Sequence, residues 1–260
     1  MDREKCRNRF LFKNAVRLAF LIAPAAVDAT VLEFDQIRLS GETVPTISGN
    51  AVPQDYGDRV TGAVVDVSGG QFTYGNAGEG YTPNVLVEYF TGAATTINPG
   101  VSIWQTGYGD LTNLVFGNNN SLSLNVRLTA DPGYQVQLYH FDLAGYPDAD
   151  YVIDAVRVSD GTGPLMEQFD VAVEGDAVGP GHSAFDFAAP LTAAQLLIEI
   201  DYGNLAGSQQ DNIGLDNLRF GQSPPAVVPL PSTGLLLGFG LAGLVGSLRR
   251  HGRVGLRRLR

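Results

Sequence analysis

The sequence predicts an all-β fold, organised as a two-sheet antiparallel sandwich, and three observations support this prediction. Apolar residues alternate with polar ones over several short stretches, which is typical of half-buried strands. Turn-forming runs rich in Gly, Asn, Asp and Pro separate these stretches, often at intervals of about a dozen residues. Helical periodicity does not persist beyond two turns. The roughly ten to twelve strands expected from this spacing fit a jelly roll.

Three stretches show the alternation most clearly: "SLSLNVRLTA", "YQVQLYHF" and "QLLIEIDY". Their in-phase apolar residues are Leu122, Leu124, Val126 and Leu128 in the first, Tyr134, Val136 and Leu138 in the second, and Leu196, Ile198, Ile200 and Tyr202 in the third. Because side chains alternate between the two faces of a strand, each set predicts one buried face. His140 continues the phase of Val136 and Leu138, so we expect a hydrogen-bonded core histidine.

The stretch "DNIGLDNLRF", residues 211–220, predicts an irregular strand. Its apolar residues fall into two phases, Ile213 and Leu215 in one, Leu218 and Phe220 in the other. A β-bulge near Asp216 and Asn217 would keep all four in the core. Such a bulge would also turn a carboxylate and neighbouring carbonyl groups toward one point.

Charge is distributed unevenly along the 260 residues, although the formal net charge is only −10. Six basic residues lie within residues 1–17 and six more within 249–260, so five of the 17 remain between them. That central part holds 25 of the 27 acidic residues, which gives it a formal charge of −20. A surface this acidic repels phosphate backbones and excludes nucleic acid as a partner. It suits bound cations, or simply a solvated acidic surface.

The N-terminus has the pattern of an export signal. A basic stretch is followed by the apolar run "LAFLIAPAAV" and small residues, so residues 1–29 are predicted to be a signal peptide cleaved after Ala29. Cys6, the only cysteine, lies in that segment. The mature chain is therefore expected to have no disulfide, no thiolate metal site and no cysteine nucleophile.

After the predicted ectodomain, residues 30–221, the composition changes. Residues 222–231 contain four prolines and are predicted to be an extended linker. Residues 232–248 are uncharged and rich in Leu and Gly, which predicts a short transmembrane helix. The arginine-rich residues 249–260 would then stay cytoplasmic.

The sequence "VPLPS", formed by Val228, Pro229, Leu230, Pro231 and Ser232, precedes this apolar helix and arginine cluster. The arrangement resembles the PEP-CTERM family of sorting signals, closest to the V-P-L-P-A variant, with Ser232 in place of the usual Ala. The resemblance implies export through the translocon, an inner-membrane intermediate and recognition by an exosortase-type membrane protease. It also implies delivery to the surface or matrix of a Gram-negative bacterium that makes extracellular polysaccharide.

The same residues allow a second interpretation. "LPSTG", residues 230–234, fits the L-P-x-T-G sortase signal of Gram-positive cell walls. The short linker before it and the Gly-rich helix after it favour the exosortase type.

Three acidic residues are candidate ligands for a structural calcium ion. Glu33 and Asp35 share one face of an early strand, and Asp216 lies at the predicted bulge. The arrangement is similar to carbohydrate-binding jelly rolls, whose first and last strands meet around calcium, an ion that prefers all-oxygen ligands. The alternative is a solvated strand edge.

Other polar residues give weaker indications. Asp148, Asp150 and Asp154 have a calcium-like spacing but lack the glycine and glutamate of an EF-hand, which favours an acidic turn. His182 lies in a Gly-rich loop, and no G-x-S-x-G elbow, H-E-x-x-H or phosphate-binding loop is present.

Trp104 and Tyr108 are the candidate ligand-binding residues. Their spacing of four would place both on one side of a strand, where aromatic faces can stack on a pyranose. A core position for the lone Trp is the alternative.

Taken together, these features predict a structural, adhesive or glycan-binding surface protein without enzymatic activity. A hydrolase using two carboxylates is the alternative function.

Overall fold

The computed structural model describes residues 29–34, 36–39, 42–45, 49–62, 64–67, 70–73, 80–92, 100–118, 121–176, 179, 181–205 and 207–224. The predicted signal peptide, apart from Ala29, lies outside these residues, as do Asp35, the sorting motif at 228–232, the apolar segment at 232–248 and the basic tail. Within the described part, no helix has the length and apolar character needed to cross a bilayer.

Strands are the main element of the described residues, which otherwise form turns and loops with a single short 3-10 turn at Gly207–Gln209. The strands are, in chain order, β1 (Thr30–Leu32), β2 (Gln36–Leu39), β3 (Glu42–Pro45), β4 (Val60–Thr61), β5 (Val64–Val67), β6 (Gly70–Thr73), β7 (Tyr81–Thr82), β8 (Val85–Thr91), β9 (Val101–Trp104), β10 (Leu114–Gly117), β11 (Ser123–Ala130), β12 (Gln135–Gly145), β13 (Tyr151–Ser159), β14 (Pro164–Val173), β15 (Ser183–Ala193), β16 (Gln195–Asp201) and β17 (Ile213–Ser223). The prediction of an all-β chain is confirmed.

Two large antiparallel sheets form the body of the fold. The six-stranded sheet has the order β15-β12-β17-β10-β9, and β1 pairs with β17 beyond the end of β10. The five-stranded sheet has the order β14-β13-β16-β11-β8. Strands β3-β2-β6-β5 and the pair β4-β7 form two smaller sheets. The last strand ends at Ser223, so it extends two residues into the segment interpreted as a linker.

One continuous core lies between the two large sheets, which makes the fold sandwich-like. The six-stranded sheet contributes buried residues such as Leu138, Leu215 and Phe220, and the five-stranded sheet contributes Val126 and Ile198. Each of these side chains is fully buried, and complete burial of a large apolar side chain contributes about 1.5–3 kcal/mol. The core is therefore the main source of stability in a chain whose only cysteine is Cys6.

The alternation patterns are confirmed for most of the residues that carried them. Leu124, Val126 and Leu128 are fully buried on β11, and all four predicted residues of the β16 stretch are buried. Leu122 and Tyr134 are exceptions: Leu122 precedes β11 and is 53% exposed, and Tyr134 precedes β12 and is only half-buried.

The predicted bulge in the last strand is also confirmed. In the pairing of β12 with β17, Asp142 lies opposite Asp216 and His140 lies opposite Arg219. The register shifts by one residue between these two pairs. Asn217, within this shift, has a φ of 52°. All four apolar residues of the stretch are fully buried, as the phase argument required.

Candidate functional site

An aromatic pocket lies on the face of the six-stranded sheet that points away from the core. On β10, Val115 faces the core between the sheets, whereas Leu114 and Phe116 belong to a separate apolar cluster on the other face. The pocket has a volume of about 290 Å³. It is lined by Gly49, Trp104, Tyr108, Phe116, Asn118, Tyr146, Asp211 and Asn212.

The rings of the aromatic pocket pack mainly edge to face. Trp104 lies 5.8 Å from Tyr146 and 6.0 Å from Phe116, at interplanar angles of 74° and 87°. Tyr108 lies 5.2 Å from Tyr146, with a tilt of 40°. Trp104 is half-buried, so part of the indole is accessible from solvent. Such a surface can pack against an apolar ligand face while its N–H finds a polar partner.

The structure brings together the two predicted ligand-binding residues, but not by the predicted route. β9 ends at Trp104, and Tyr108 lies in the following loop, where it bridges to Leu111. The expectation that both residues lie on one side of a strand is therefore wrong. Tyr108 is 2% exposed and its hydroxyl donates to the carbonyl oxygen of Asp211 over 3.1 Å. Burial raises the pKa of Tyr108, and Asp211 adds to the shift, so the hydroxyl keeps its proton.

Polar groups line one side of the aromatic pocket. The amide of Asn118 donates to the Ser102 hydroxyl over 3.2 Å, and the amide of Asn212 donates to the Tyr151 hydroxyl over 2.7 Å. These bonds fix the amide orientations, and Asp211 also lines the pocket. The pocket therefore combines aromatic surface with fixed hydrogen-bonding groups, the usual composition of a small-molecule site.

A second polar feature, the His–Asp cluster, consists of Asp110, His140, Asp142, His182 and Asp186. Nδ1 of His140 lies 2.9 Å from Oδ1 of Asp186, and Nδ1 of His182 lies 2.8 Å from Oδ1 of Asp110. Asp142 lies between the two imidazoles, with its Oδ1 3.1 Å from Nε2 of His140 and 3.8 Å from Nε2 of His182. Both histidines therefore contact an outer carboxylate and the same inner carboxylate.

His140 is not a core residue, which corrects the expectation from its phase. The register of β12 shifts between Leu138 and His140, so Phe141 and Leu143 continue the core face and His140 turns outward. Its side chain is 21% exposed. The Asp142 carboxylate raises the pKa of His140, Asp186 adds to the shift, and burial opposes it.

Asp142 is the most buried member of the His–Asp cluster, with 5% of its side chain exposed. Its Oδ2 accepts a hydrogen bond of 2.8 Å from Nδ2 of Asn217. Its Oδ1 lacks a hydrogen-bond partner among the described residues, because Nε2 of His140 is close but outside hydrogen-bond geometry. Burial raises the pKa of Asp142, but the His140 imidazole, Asn217 and His182 outweigh burial, and the pKa lies below its ordinary value.

The aromatic pocket and the His–Asp cluster adjoin each other. Ala144, in the apolar cluster of the pocket, lies two residues from Asp142 on β12, and Asp110 shares a loop with Tyr108. That loop packs closely on the His182 loop, because a Cβ at Gly109 would lie 1.8 Å from the carbonyl oxygen of Gly181. The two features therefore lie next to each other.

A larger cleft, of about 400 Å³, lies between the edge strands β14 and β15. Phe169 and Phe185 line it, together with Asp186 of the His–Asp cluster. Short stretches of these two strands, residues 168–172 and 183–187, supply all of its lining.

Of the three predicted calcium ligands, the structure describes two. Glu33 directly follows Leu32, the last residue of β1. Leu32 pairs with Leu218, which lies beside the bulge. Asp216 is 4% exposed, faces Asp142 across the strands, and accepts a hydrogen bond from the backbone N–H of Asn217. Among the described residues, no three His, Cys, Asp or Glu side chains are already arranged around a common metal position. The calcium site stays a prediction.

The acidic run at 148–154 has a structural role where it is described. Oδ1 of Asp148 accepts from the backbone N–H of Gly109, and Oδ1 of Asp150 accepts from that of Gly175. These bonds fasten neighbouring loops, in agreement with the acidic-turn interpretation.

Most of the His–Asp cluster was not recognised from sequence. His140 and Asp142 are two residues apart, and the change of phase from Leu138 to Phe141 was a usable indication that both point outward. Asp110 and His182 come from separate loops, 72 residues apart, so no local pattern connects them.

Comparison with models of known protein families and with curated proteins finds no match for this chain.

Proposed function

We propose that the chain is an exported surface protein whose sandwich, of the jelly-roll type, binds a glycan of the extracellular matrix in the aromatic pocket. The observation that carries the proposal is the convergence of four aromatic rings with two hydrogen-bonded amide groups in one accessible cavity, which Asp211 also lines. Sugars present apolar C–H faces and hydroxyl edges, which suit aromatic surfaces and polar side chains respectively.

Two features of the topology support the jelly-roll assignment. Both large sheets are antiparallel, and the first strand, β1, pairs with the last strand, β17. The β1 pairing resembles the meeting of first and last strands in carbohydrate-binding jelly rolls.

Glycan binding is tested on an array of bacterial polysaccharides and oligosaccharides with the purified chain. We expect binding by the natural chain and a loss of at least about tenfold for Trp104→Ala, because a buried stacking contact is removed. Tyr81→Ala is the matched control, since Tyr81 is 54% exposed on β7 and does not line the aromatic pocket. Equal binding by both variants would place the site elsewhere.

The same experiment distinguishes a binding module from a hydrolase. A module binds without turnover, whereas an enzyme releases reducing sugars from the bound polysaccharide. Release that depends on Asp211 or Asp142 would replace the binding proposal with the hydrolase alternative.

Sorting is the second part of the proposal and rests on the C-terminal sequence alone. We propose that an exosortase-type protease recognises the motif at 228–232 and that the ectodomain then reaches the cell surface. Mass spectrometry of the mature C-terminus tests this step. Cleavage near the proline motif supports the exosortase, cleavage after Thr233 supports a sortase, and an intact tail at the surface indicates a simple membrane anchor.

A further inference from the structure

We propose that His140, Asp142 and His182 form a binding site for a divalent transition metal ion, with zinc as the reference ion. The site goes beyond the proposed glycan function, and neither depends on the other. The ligand atoms would be Nε2 of each histidine and Oδ1 of Asp142.

The first argument is convergence. Nε2 of His140 and Nε2 of His182 both approach the same oxygen, Oδ1 of Asp142, at 3.1 and 3.8 Å. Around a tetrahedral zinc ion with bonds of about 2.0–2.1 Å, ligand atoms lie roughly 3.3 Å apart. The two separations bracket that value. Because no three such side chains among the described residues already surround a common position, metal binding would also require the two Nε2 atoms to approach each other to about this distance.

The second argument concerns the tautomers of the histidines. A carboxylate oxygen accepts hydrogen bonds, so the Nδ1 atoms facing Asp186 and Asp110 must carry their protons. In the neutral imidazole this leaves a lone pair on each Nε2, directed at the ionised Asp142. A proton or a metal ion at Nε2 would each balance the charge of the Asp142 carboxylate, and titration with metal distinguishes the two. Carboxylates that orient histidines through Nδ1 are the usual outer partners of metal-binding histidines.

The third argument is the buried oxygen itself. The Asp142 side chain is 95% buried, since 5% is exposed, and its Oδ1 lacks a hydrogen-bond donor among the described residues. A buried polar atom without a partner costs about 1–3 kcal/mol, and more for a charged group. A metal ion bound at this oxygen would supply the missing partner.

The charges and donor types indicate the class of ion. Asp216 faces Asp142 from β17, and with Asp110 and Asp186 the region holds four carboxyl groups around two imidazoles. This negative field favours a divalent cation. Two imidazoles and one carboxylate suit zinc, cobalt, nickel or copper, whereas calcium prefers oxygen ligands throughout. The His140 and His182 side chains are 21% and 29% exposed, so water from solvent would be the fourth ligand.

The alternative for these contacts is a pair of protonated histidines held by ion pairs, without a metal. Calorimetric titration of the untagged, chelator-treated chain with zinc, using a chromophoric chelator as competitor, separates the two. We expect one zinc ion per chain. Cobalt is expected to give the intense visible bands of a tetrahedral site, and millimolar calcium is expected not to compete.

The variants locate the site. Asp142→Asn and His182→Gln are each expected to weaken zinc binding at least about 100-fold, and Asp186→Asn about tenfold through the orientation of His140. His182 lies in a loop, so its variant tests the site even if Asp142→Asn fails to fold. Asp154→Asn, which removes an exposed charge from the opposite sheet, is expected to bind like the natural chain. Absence of stoichiometric zinc binding, or full binding by His182→Gln, would overturn the proposal.

Discussion

Asn217 donates a hydrogen bond of 2.8 Å from Nδ2 to Oδ2 of Asp142, so the bulge residue of the last strand holds a buried carboxylate of its neighbour. The bulge permits this contact because Asn217 adopts a φ of 52°, a conformation that Asn tolerates better than most residues. The same irregularity keeps the apolar residues of β17 in the core and turns a donor toward the outer face of the sheet.

This relationship predicts different costs for two substitutions of Asn217. Asn217→Gly loses the hydrogen bond to a charged group, which costs about 1.5–3 kcal/mol of unfolding free energy. Asn217→Ala loses the same bond and adds roughly 1–2 kcal/mol of backbone strain at positive φ. Urea unfolding of both variants measures the difference. Equal stabilities would mean that the positive φ carries no strain.

Gly109 is predicted to hold the loop of the aromatic pocket against the His182 loop. Gly109→Ala should displace both loops, because the new Cβ would lie 1.8 Å from the carbonyl oxygen of Gly181. Gly161→Ala is the matched control, with a φ of 85° but open space around it, and should cost about 1 kcal/mol. Thermal melting should show a clearly larger loss for Gly109→Ala. Equal melting temperatures would contradict the close packing of the loops.

Asp58 is predicted to stabilise the edge strand β8 as a hydrogen-bond acceptor rather than as a charge. Its Oδ1 accepts from the backbone N–H of buried Val87 over 2.6 Å, while burial raises the pKa of its carboxyl group. Asp58→Asn keeps the acceptor and should change stability by less than about 0.5 kcal/mol. Asp58→Ala leaves the N–H without a partner and should cost about 1–3 kcal/mol. Denaturant unfolding at neutral pH compares them, and a similar loss for both variants would assign the stabilisation to the charge.

Arg157 is predicted to link three strands of the five-stranded sheet through charge. Its guanidinium contacts Glu167 at 2.9 Å, Asp201 at 3.1 Å and Glu199 at 3.7 Å, and lies over the Phe169 ring. Arg157→Ala should cost about 1 kcal/mol at low salt and less in 1 M salt, where charges are screened within about 3 Å.

The matched control for that prediction is Arg219→Ala, because Arg219 contacts the Tyr139 ring at 5.7 Å. Its effect on the melting temperature should depend little on salt. If the loss for Arg157→Ala is the same at both salt concentrations, packing rather than charge carries the contribution of this side chain.

The alternation of apolar residues was sufficient to predict the fold class, because burial of one strand face imposes a period of two. A β-bulge adds one residue to a strand, so the buried positions change phase there. The alternation then predicts burial only when it is followed separately on each side of the bulge. The change of phase between Leu215 and Leu218 predicts a bulge, and the bulge is present. A second change of phase, between Leu138 and Phe141, accompanies the irregularity that turns His140 outward, so the expected core position of His140 is wrong.

The candidate sites were predicted less completely, for a physical reason. Trp104 and Tyr108 are close in sequence, so an argument from spacing brought them together even though the strand ends between them. Tyr146 and Asp211 reach the same pocket through loops, and loop conformations depend on contacts that no sequence period encodes. The pairing of His182 with Asp110 is of the same kind.

The most direct test of the proposed function uses the fact that Trp104 is the only tryptophan in the chain. Its fluorescence therefore reports on the aromatic pocket alone. Titration with the polysaccharide that binds on the array should change the emission of Trp104 and saturate at the same concentration as binding. Saturable binding with unchanged Trp104 emission would contradict the account, because the glycan would then lie elsewhere on the molecule.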